Sequence, residues 1–507
     1  MPPPCIASPR IRMNITRDIY ASSLTLLTDF YQLTMAYGYW KQGIAEKKSV
    51  FHLFFRENPF NGGFAINCGL AYVIDYINNF SFDDEAIDFL AEATGEGDQP
   101  LFEPGFLDYL RTLEFSCDVD AIPEGTAVFP HEPLLRVQGP ILQCQLIESA
   151  LLNFVNFQTL IATKAARIHI AARGEPVLEF GLRRAQGIDG AIAASRAAYV
   201  GGSSSTSNVL AGKLFGIPLS GTHAHSWIMA FDDELTAFRA YAEAMPNNCV
   251  LLVDTYNTLE GIKKAVEVGL MLQKKGKQLL GVRIDSGDLA YFSIEARRLL
   301  DAAGLSDTRI VASNDLDENI ISSLRSQDAK IDVWGIGTKL VTAYDQPALG
   351  AVYKLSAIEN DGKWEYKIKL SEQAVKVNTP GIQQVRRFYA SADRKDLVAD
   401  MLYDTQQPLG KDHKIIDPMD LTRRKLIKAS EVTSEDLLVP VFRQGKQVYD
   451  SPDLHAIREQ TIRSLEQLPA GVKRFVNPHS YPVGLEEKLF TTKTDLILKL
   501  RELNDEE

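Results

Sequence analysis

Six stretches of this chain place polar, ionisable or glycine residues directly after a short apolar run. They are Arg183 and Arg184 in GLRRAQG; His223, His225 and Ser226 in GTHAHSW; Asp254 and Asn257 in VDTYNT; Arg283, Asp285, Ser286 and Asp288 in VRIDSGD; Ser313, Asn314 and Asp315 in ASND; and Gly335, Gly337, Thr338 and Lys339 in WGIGTK. Guanidinium groups read carboxylates and phosphates through forked hydrogen bonds. Glycines followed by a hydroxyl let backbone N–H groups approach a phosphate. Asp285, Asp288 and Asp315 would repel that phosphate, so a ribose diol or a divalent cation is the natural mediator. Magnesium fits, because it takes one or two carboxylates together with substrate phosphates, and Asp285 and Asp288 are the candidate ligands. His223 and His225 stand two apart at the end of the run IPLSGTHAH, and only one need face the pocket. A histidine among small residues has room to accept a phosphoryl group. No HExxH sequence or cysteine cluster supports zinc.

Each cluster also has an ordinary structural reading. Adjacent arginines are often a solvated face, strand-end aspartates often cap the next helix, and a GxGT is often only a tight turn. The joint pattern resists that explanation, since capping needs one side-chain oxygen per helix.

For these groups to converge, the segments carrying them must be successive strand ends. The runs PVLEFGLRR, AAYVGGSSS, IPLSGTHAH, VLLVDTYNT, LLGVRIDSGD, RIVASND and DVWGIGTKL mostly alternate with helical patterns. This predicts a parallel sheet closed or nearly closed into a β/α barrel, whose strand ends meet at one rim, with a doubly wound open sheet as the alternative. SALLNFVNFQTLIATKAARIHIAAR opens the region as a long apolar-striped helix capped by Gly174. Ahead of it, TDFYQLTMAYGYWKQG reads as a helix ended by Gly43 and KSVFHLFFREN as a strand. Beyond about Ala390 the sequence turns polar, with a strand-turn-strand in VPVFRQGKQVYD and a helix in SPDLHAIREQTIRSLEQL. The expected α/β organisation is an extension over 1–20, an N-terminal α/β domain over 21–150, the barrel over 151–390, and a C-terminal region over 391–507 packing on the other two.

The chain has 507 residues, 45% hydrophobic and 24% charged, enough for a large core. Its net charge of -12 and pI near 5.3 oppose nonspecific attraction to nucleic acid or anionic membrane. Bound phosphate must therefore be held locally. Cys5, Cys68, Cys117, Cys144 and Cys249 are scattered without a CxxC pair, and an odd number cannot close completely into intrachain disulfides. With neither a secretory h-region nor a membrane-length apolar run, a cytoplasmic location is expected.

The blocks LTDFYQLTMAYGYW, NFQTLIATKAARI, EFGLRRAQGIDGAIAASRAAYVGGSSSTSN, PLSGTHAHSWIMAF, LLVDTYNT, VRIDSGDL, ASNDLDE and WGIGTKL, in that order, resemble the successive blocks of the nicotinate phosphoribosyltransferases. VPVFRQGKQVYDSPDLHAIREQTIRSL and FVNPHSYPVGLEEKLF extend the resemblance toward the C-terminus. It implies a type II phosphoribosyltransferase fold, an irregular β/α barrel joined to an N-terminal α/β domain and a C-terminal appendage, in a homodimer that shares its active sites. It also implies a reaction: nicotinate and phosphoribosyl pyrophosphate give nicotinate mononucleotide and pyrophosphate, with Mg2+ and coupled ATP hydrolysis, at the start of NAD synthesis from nicotinate.

By position, His225 matches the family's transiently phosphorylated histidine, and His223 is not associated with phosphorylation. Tyr31 resembles the aromatic residue that stacks on the pyridine ring from the partner subunit, with Asp29 beside it. Arg183 and Arg184 are placed for the nicotinate carboxylate and the ribose phosphate. Arg283, Asp285 and Asp288 match the phosphoribosyl pyrophosphate segment, Asn314 and Asp315 its ribose contacts, and Gly335, Gly337 and Thr338 its 5-phosphate loop. Ser226 and Ser313 complete the substrate-binding set, with His225, Arg283 and Asp285 as the catalytic residues. Nicotinamide phosphoribosyltransferase is the nearest alternative. A non-catalytic barrel scaffold is another, but it need not keep His225, Asp285 and Arg283 together. A lyase or isomerase barrel normally wants a Schiff-base lysine or general base, and Lys339, the only lysine in the rim motifs, is better explained by phosphate.

Overall fold

The computed structural model describes residues 23–390 and 393–505; the expected N-terminal extension, 1–20, lies outside them. Six parallel strands form the central sheet, in the order Ser205–Thr206, Val177–Glu179, Val333–Ile336, Arg309–Ala312, Gly281–Ile284 and Val250–Leu252. These strands are largely buried because helices cover a parallel sheet. Leu219 extends the order through a parallel bridge to Thr206. Among the described residues no ladder joins that segment to Val250–Leu252. The imidazole of His223 spans the gap instead, its Nε2 accepting the Leu252 backbone N–H at 3.2 Å. A side chain thus links the two edges, and the barrel is irregular.

One run departs from the expected pattern. Ala197–Val200 of AAYVGGSSS end the helix Gly187–Val200, and only Ser205–Thr206 pair in the sheet. High helix propensity along GAIAASRAA explains the difference. The long helix spans Glu148–Ala172, and its left-handed cap begins one residue before Gly174, at Arg173 with φ 51°.

A seven-stranded sheet lies beside the barrel, ordered Lys363–Tyr366, Val352–Asn360, Lys48–Phe54, Leu135–Pro140, Asp118–Ala121, Val439–Arg443 and Lys446–Gln447. Strands from residues 352–366 and 439–447 therefore complete the N-terminal α/β layer, and the sequence spans 21–150, 151–390 and 391–507 interlock in space. The polar stretch beyond Ala390 is more ordered than its pattern suggests. With Gln383–Tyr389 it builds a six-stranded sheet that packs on the helix Glu487–Asp505, while the helix Leu454–Gln467 packs on the barrel helix Gly187–Val200. Its strand Thr433–Asp436 is half solvated, so it carries no apolar signature. No helix among the described residues is long and apolar enough to cross a membrane.

A buried polar cluster ties this sheet to the N-terminal layer. Arg387 pairs with Asp400 through Nε at 3.0 Å, and Asp400 also accepts the Tyr481 hydroxyl at 3.0 Å. Beside them Glu132 is wholly buried; its Oε2 accepts the Phe129 N–H at 2.9 Å, and its Oε1 has no hydrogen-bond partner among the described residues. Burial first, and the Asp400 carboxylate second, hold the Glu132 carboxyl well above the usual range. The folded chain therefore keeps a proton that the unfolded chain gives up. This contribution is full below the unfolded carboxyl pKa of about 4.3 and is lost as pH rises through the folded value. Glu132→Gln mimics the protonated acid. It is expected to flatten the alkaline fall in stability by roughly 1–2 kcal/mol. Denaturation midpoints at pH 6 and pH 9 read this, and an unchanged slope in the variant would remove Glu132 as its cause.

Candidate active site

At the C-terminal ends of the parallel strands lies a cavity of ≈ 560 Å³. It brings together Arg183, Arg184, His225, Arg283, Asp285, Ser313, Asn314, Asp315, Gly335, Gly337 and Thr338. Residues more than 150 positions apart converge because most lie at or just after the C-terminal ends of strands of one sheet, and His225 follows the segment bridged to it at Leu219.

The arginine pair sits on the turn Leu182–Arg184 after the strand Val177–Glu179. Glu179, fully buried, organises that turn: Oε1 accepts the Gly181 N–H, and Oε2 accepts the hydroxyls of Ser195 at 2.9 Å and Thr206 at 2.5 Å. A Cβ at Gly181 would run into Val341, so glycine is needed for close packing. Arg183 and Arg184 are exposed, and neither has a carboxylate partner among the described residues.

His225 opens the short helix His225–Met229. Its Nδ1 lies 3.2 Å from the Thr255 hydroxyl, and its Nε2 lies 3.9 Å from Asp285 Oδ2. With Thr255 engaging one nitrogen, the other remains available at the cavity. His223 has a different task. It is buried against Tyr241 and Phe238, and burial pushes its imidazole down to about 4, so it stays a neutral acceptor for Leu252.

Arg283 donates from Nη1 to Thr222 Oγ1 at 2.5 Å, while its Nε is buried with no acceptor among the described residues. Burial pulls the guanidinium pKa down, and Asp285 and Asp254 oppose the shift. Asp254 fixes the neighbouring loop, its Oδ2 accepting the Asp285 N–H at 2.9 Å and the Ser286 hydroxyl at 2.6 Å. Ser313 donates to Asp285 Oδ1 at 2.5 Å, which leaves Oδ2 toward His225. Asn314 holds φ at 108°, a strained value for a side chain. Gly335 is required by packing, since a Cβ would stand 2.9 Å from two ring atoms of Phe180.

Four expected site residues lie outside this cavity. Asp288 caps the helix Leu289–Ala302, accepting the Tyr291 N–H at 2.9 Å, and of the expected magnesium pair Asp285 lines the cavity and Asp288 does not. Ser226 is exposed on the helix behind His225. Asp29 accepts the Ser149 hydroxyl at 2.7 Å, and Tyr31, 51% exposed, sits on the helix Phe30–Lys41. Lys339 pairs with Asp317 at 2.7 Å and does not line the cavity. Sequence reasoning missed Glu179, Phe180, Ser207 and Thr255. The hydroxyl-rich SSSTSN was the available signal for Ser207; nothing local marks Glu179 or Thr255.

A parallel β/α barrel whose rim gathers three guanidinium groups, an imidazole, carboxylates and a glycine loop defines a class, a barrel enzyme for an anionic, phosphorylated substrate. Comparison with known proteins narrows the class. Three family models, described as the nicotinate phosphoribosyltransferase (NAPRTase) N-terminal domain, the NAPRTase family and the nicotinate phosphoribosyltransferase C-terminal domain, match residues 26–156, 176–377 and 382–493. A nicotinate phosphoribosyltransferase of Bacillus subtilis (strain 168) is 45% identical over 96% of this chain and 97% of its own. Nicotinate phosphoribosyltransferase 2 of Arabidopsis thaliana is 39% identical over 92% of each chain. The crystal structure of human nicotinic acid phosphoribosyltransferase superposes with a TM-score of 0.80 at 33% identity, over 92% of this chain and 99% of that one. The chain belongs to the nicotinate phosphoribosyltransferase family.

Proposed function

We propose that this enzyme transfers the phosphoribosyl group of phosphoribosyl pyrophosphate to nicotinate, giving nicotinate mononucleotide and pyrophosphate at the start of NAD synthesis from nicotinate. The observation that carries this reading is the convergence of Arg183, Arg184, Arg283 and His225 on one cavity, three guanidinium groups with no carboxylate ion pair among the described residues. Such an array suits a substrate pair that brings a carboxylate and several phosphates.

Arg183 and Arg184 take the nicotinate carboxylate and the ribose phosphate. Asn314 and Asp315 hold the ribose diol, and the Gly335–Thr338 turn offers backbone N–H groups to the 5-phosphate. The bond from C1 to pyrophosphate breaks toward an oxocarbenium, and the pyridine nitrogen forms the new bond from the opposite face. Positioning and fixed charge supply most of the acceleration. Magnesium fits the residues present, since Asp285 keeps one carboxylate oxygen toward the cavity and magnesium completes its sphere with substrate phosphates. When bound, it neutralises charge on the departing pyrophosphate. Asp288, engaged as a cap, is not needed for that site.

ATP phosphorylates His225 at Nε2: the N–P bond forms, the bond from the γ-phosphorus to the bridging oxygen breaks, and ADP leaves. Water later hydrolyses the phosphohistidine. Thr255 on Nδ1 supports this assignment of the nucleophilic nitrogen. The protein acts as a homodimer in which Tyr31 and Asp29 reach the cavity of the partner, a reading supported by the exposure of Tyr31 away from its own cavity. It works in the cytoplasm, a reading supported by four described cysteines that are free and buried.

Purified protein incubated with nicotinate, phosphoribosyl pyrophosphate, magnesium and ATP is expected to form the mononucleotide, and a parallel tube without ATP to form it more slowly. No product in either tube would overturn the reading. The guanidinium pair also sets substrate choice, because a carboxylate takes forked charge-assisted hydrogen bonds that a neutral amide cannot match. Nicotinate is expected to exceed nicotinamide in kcat/KM by roughly 100-fold or more, and Arg183→Ala combined with Arg184→Ala to collapse that ratio. A parent enzyme that prefers the amide would reject the assignment.

A further inference from the structure

The C-terminal region, together with loops of the N-terminal layer, forms a second concavity that shares no lining residue with the barrel cavity. Two adjoining cavities, ≈ 620 Å³ and ≈ 250 Å³, share seven lining residues, Asp417, Arg423 and His479 among them. Arg423, Arg424, Lys425 and Arg474 line the larger cavity, and Arg423 also lines the smaller one, with Lys493 of the helix Glu487–Asp505. In a chain of net charge -12 this is a local reversal of sign.

Little in the protein neutralises these charges. Arg423 pairs with Asp420. Arg424 and Lys425 donate to the carbonyls of Leu421 and Val398, which leaves their charge uncompensated. Asp417 is the carboxylate that lines the cleft, and it already accepts the Met419 N–H at 2.8 Å. Lys493 is the strongest indication of a ligand. It is 8% exposed and lacks an ion pair among the described residues, and its Nζ reaches only the Val377 carbonyl and the Thr379 hydroxyl, each at 3.4 Å. An ammonium taken out of water at that depth is costly unless an anion accompanies it; burial holds this one down to about 8.

We infer that this cleft is an anion-binding site, distinct from the barrel cavity, that takes a small molecule carrying two or more phosphate groups. Guanidinium forks in the larger cavity suit phosphate oxygens, and a chain of phosphates can extend past Arg423, which lines both cavities, toward Lys493 in the smaller one, as a single carboxylate cannot. The inference is independent of the reading of the barrel cavity.

Isothermal titration of the full chain with tripolyphosphate, and separately with ATP, both without magnesium, tests it. The barrel cavity also binds phosphates, so the cleft is read by difference. Relative to the parent, Arg424→Glu combined with Arg474→Glu is expected to lose one site or weaken it by about tenfold or more. Both residues are exposed, so the fold survives. Lys493→Met is expected to weaken the same site while raising the melting temperature, because it removes an unpaired buried cation. Ribosyl transfer to nicotinate should be unchanged in both variants. Loss seen with ATP alone would assign the cleft to a nucleotide, and loss seen with both ligands to the polyphosphate chain itself. Identical site numbers and affinities for parent and variants would overturn the proposal.

Discussion

His225→Ala is expected to abolish the ATP hydrolysis that accompanies turnover, a loss of roughly a thousandfold or more, while slow ribosyl transfer persists and no longer responds to ATP. The phosphoryl acceptor and the ribosyl-transfer machinery are separate groups on one rim. Arg183, Arg184, Arg283 and the Gly335–Thr338 turn remain when the imidazole is removed, so substrates still bind and the bond from C1 still breaks. What disappears is the nitrogen that carries phosphate and biases the enzyme toward its tight-binding state. Parallel assays of phosphate release and mononucleotide formation separate the two activities. Unchanged ATP hydrolysis in the variant would remove His225 as the acceptor. His223 supplies a control: as a neutral bridge to Leu252, it should affect stability when replaced by alanine, through the link between the barrel edges.

Asp285→Asn should lower kcat/KM for phosphoribosyl pyrophosphate by roughly 10²–10³-fold and demand more magnesium, with the KM for nicotinate nearly unchanged. The substitution retains shape. An amide oxygen still accepts the Ser313 hydroxyl, and the backbone N–H still reaches Asp254. Only the charge beside Arg283 is removed, and that charge would recruit the cation. Steady-state kinetics over a magnesium series reads the effect. A variant whose kcat/KM and magnesium requirement stay at parental values would place Asp285 outside the reacting centre.

The rim was legible because the segments that build it are local. GLRR, VRIDSGD and WGIGT each end an apolar run, and an apolar run before small or polar residues is readable as a strand end without knowing its neighbours. The C-terminal sheet was not legible to the same degree, since strands such as Thr433–Asp436 alternate with solvent and depend on partners far along the chain. Asp288 illustrates the limit within the site itself. Three residues from Asp285, it has equal claim by type, yet the chain has already turned into a helix whose first amides it caps.

Sequence by itself determined which chemical groups stand at strand ends, the alternation that calls for a parallel sheet, and the family that the ordered blocks resemble, all properties of short segments. Tertiary structure alone decided that His223 is engaged by Leu252 while His225 keeps a ring nitrogen available, that Lys339 is neutralised by Asp317, that Glu179 and Asp254 hold the arginine and aspartate loops in place, and that Tyr31 lies away from its own rim. These outcomes depend on direction and on partners tens to hundreds of residues away. Residue spacing fixes how side chains alternate, but only closure of the sheet fixes which way is inward.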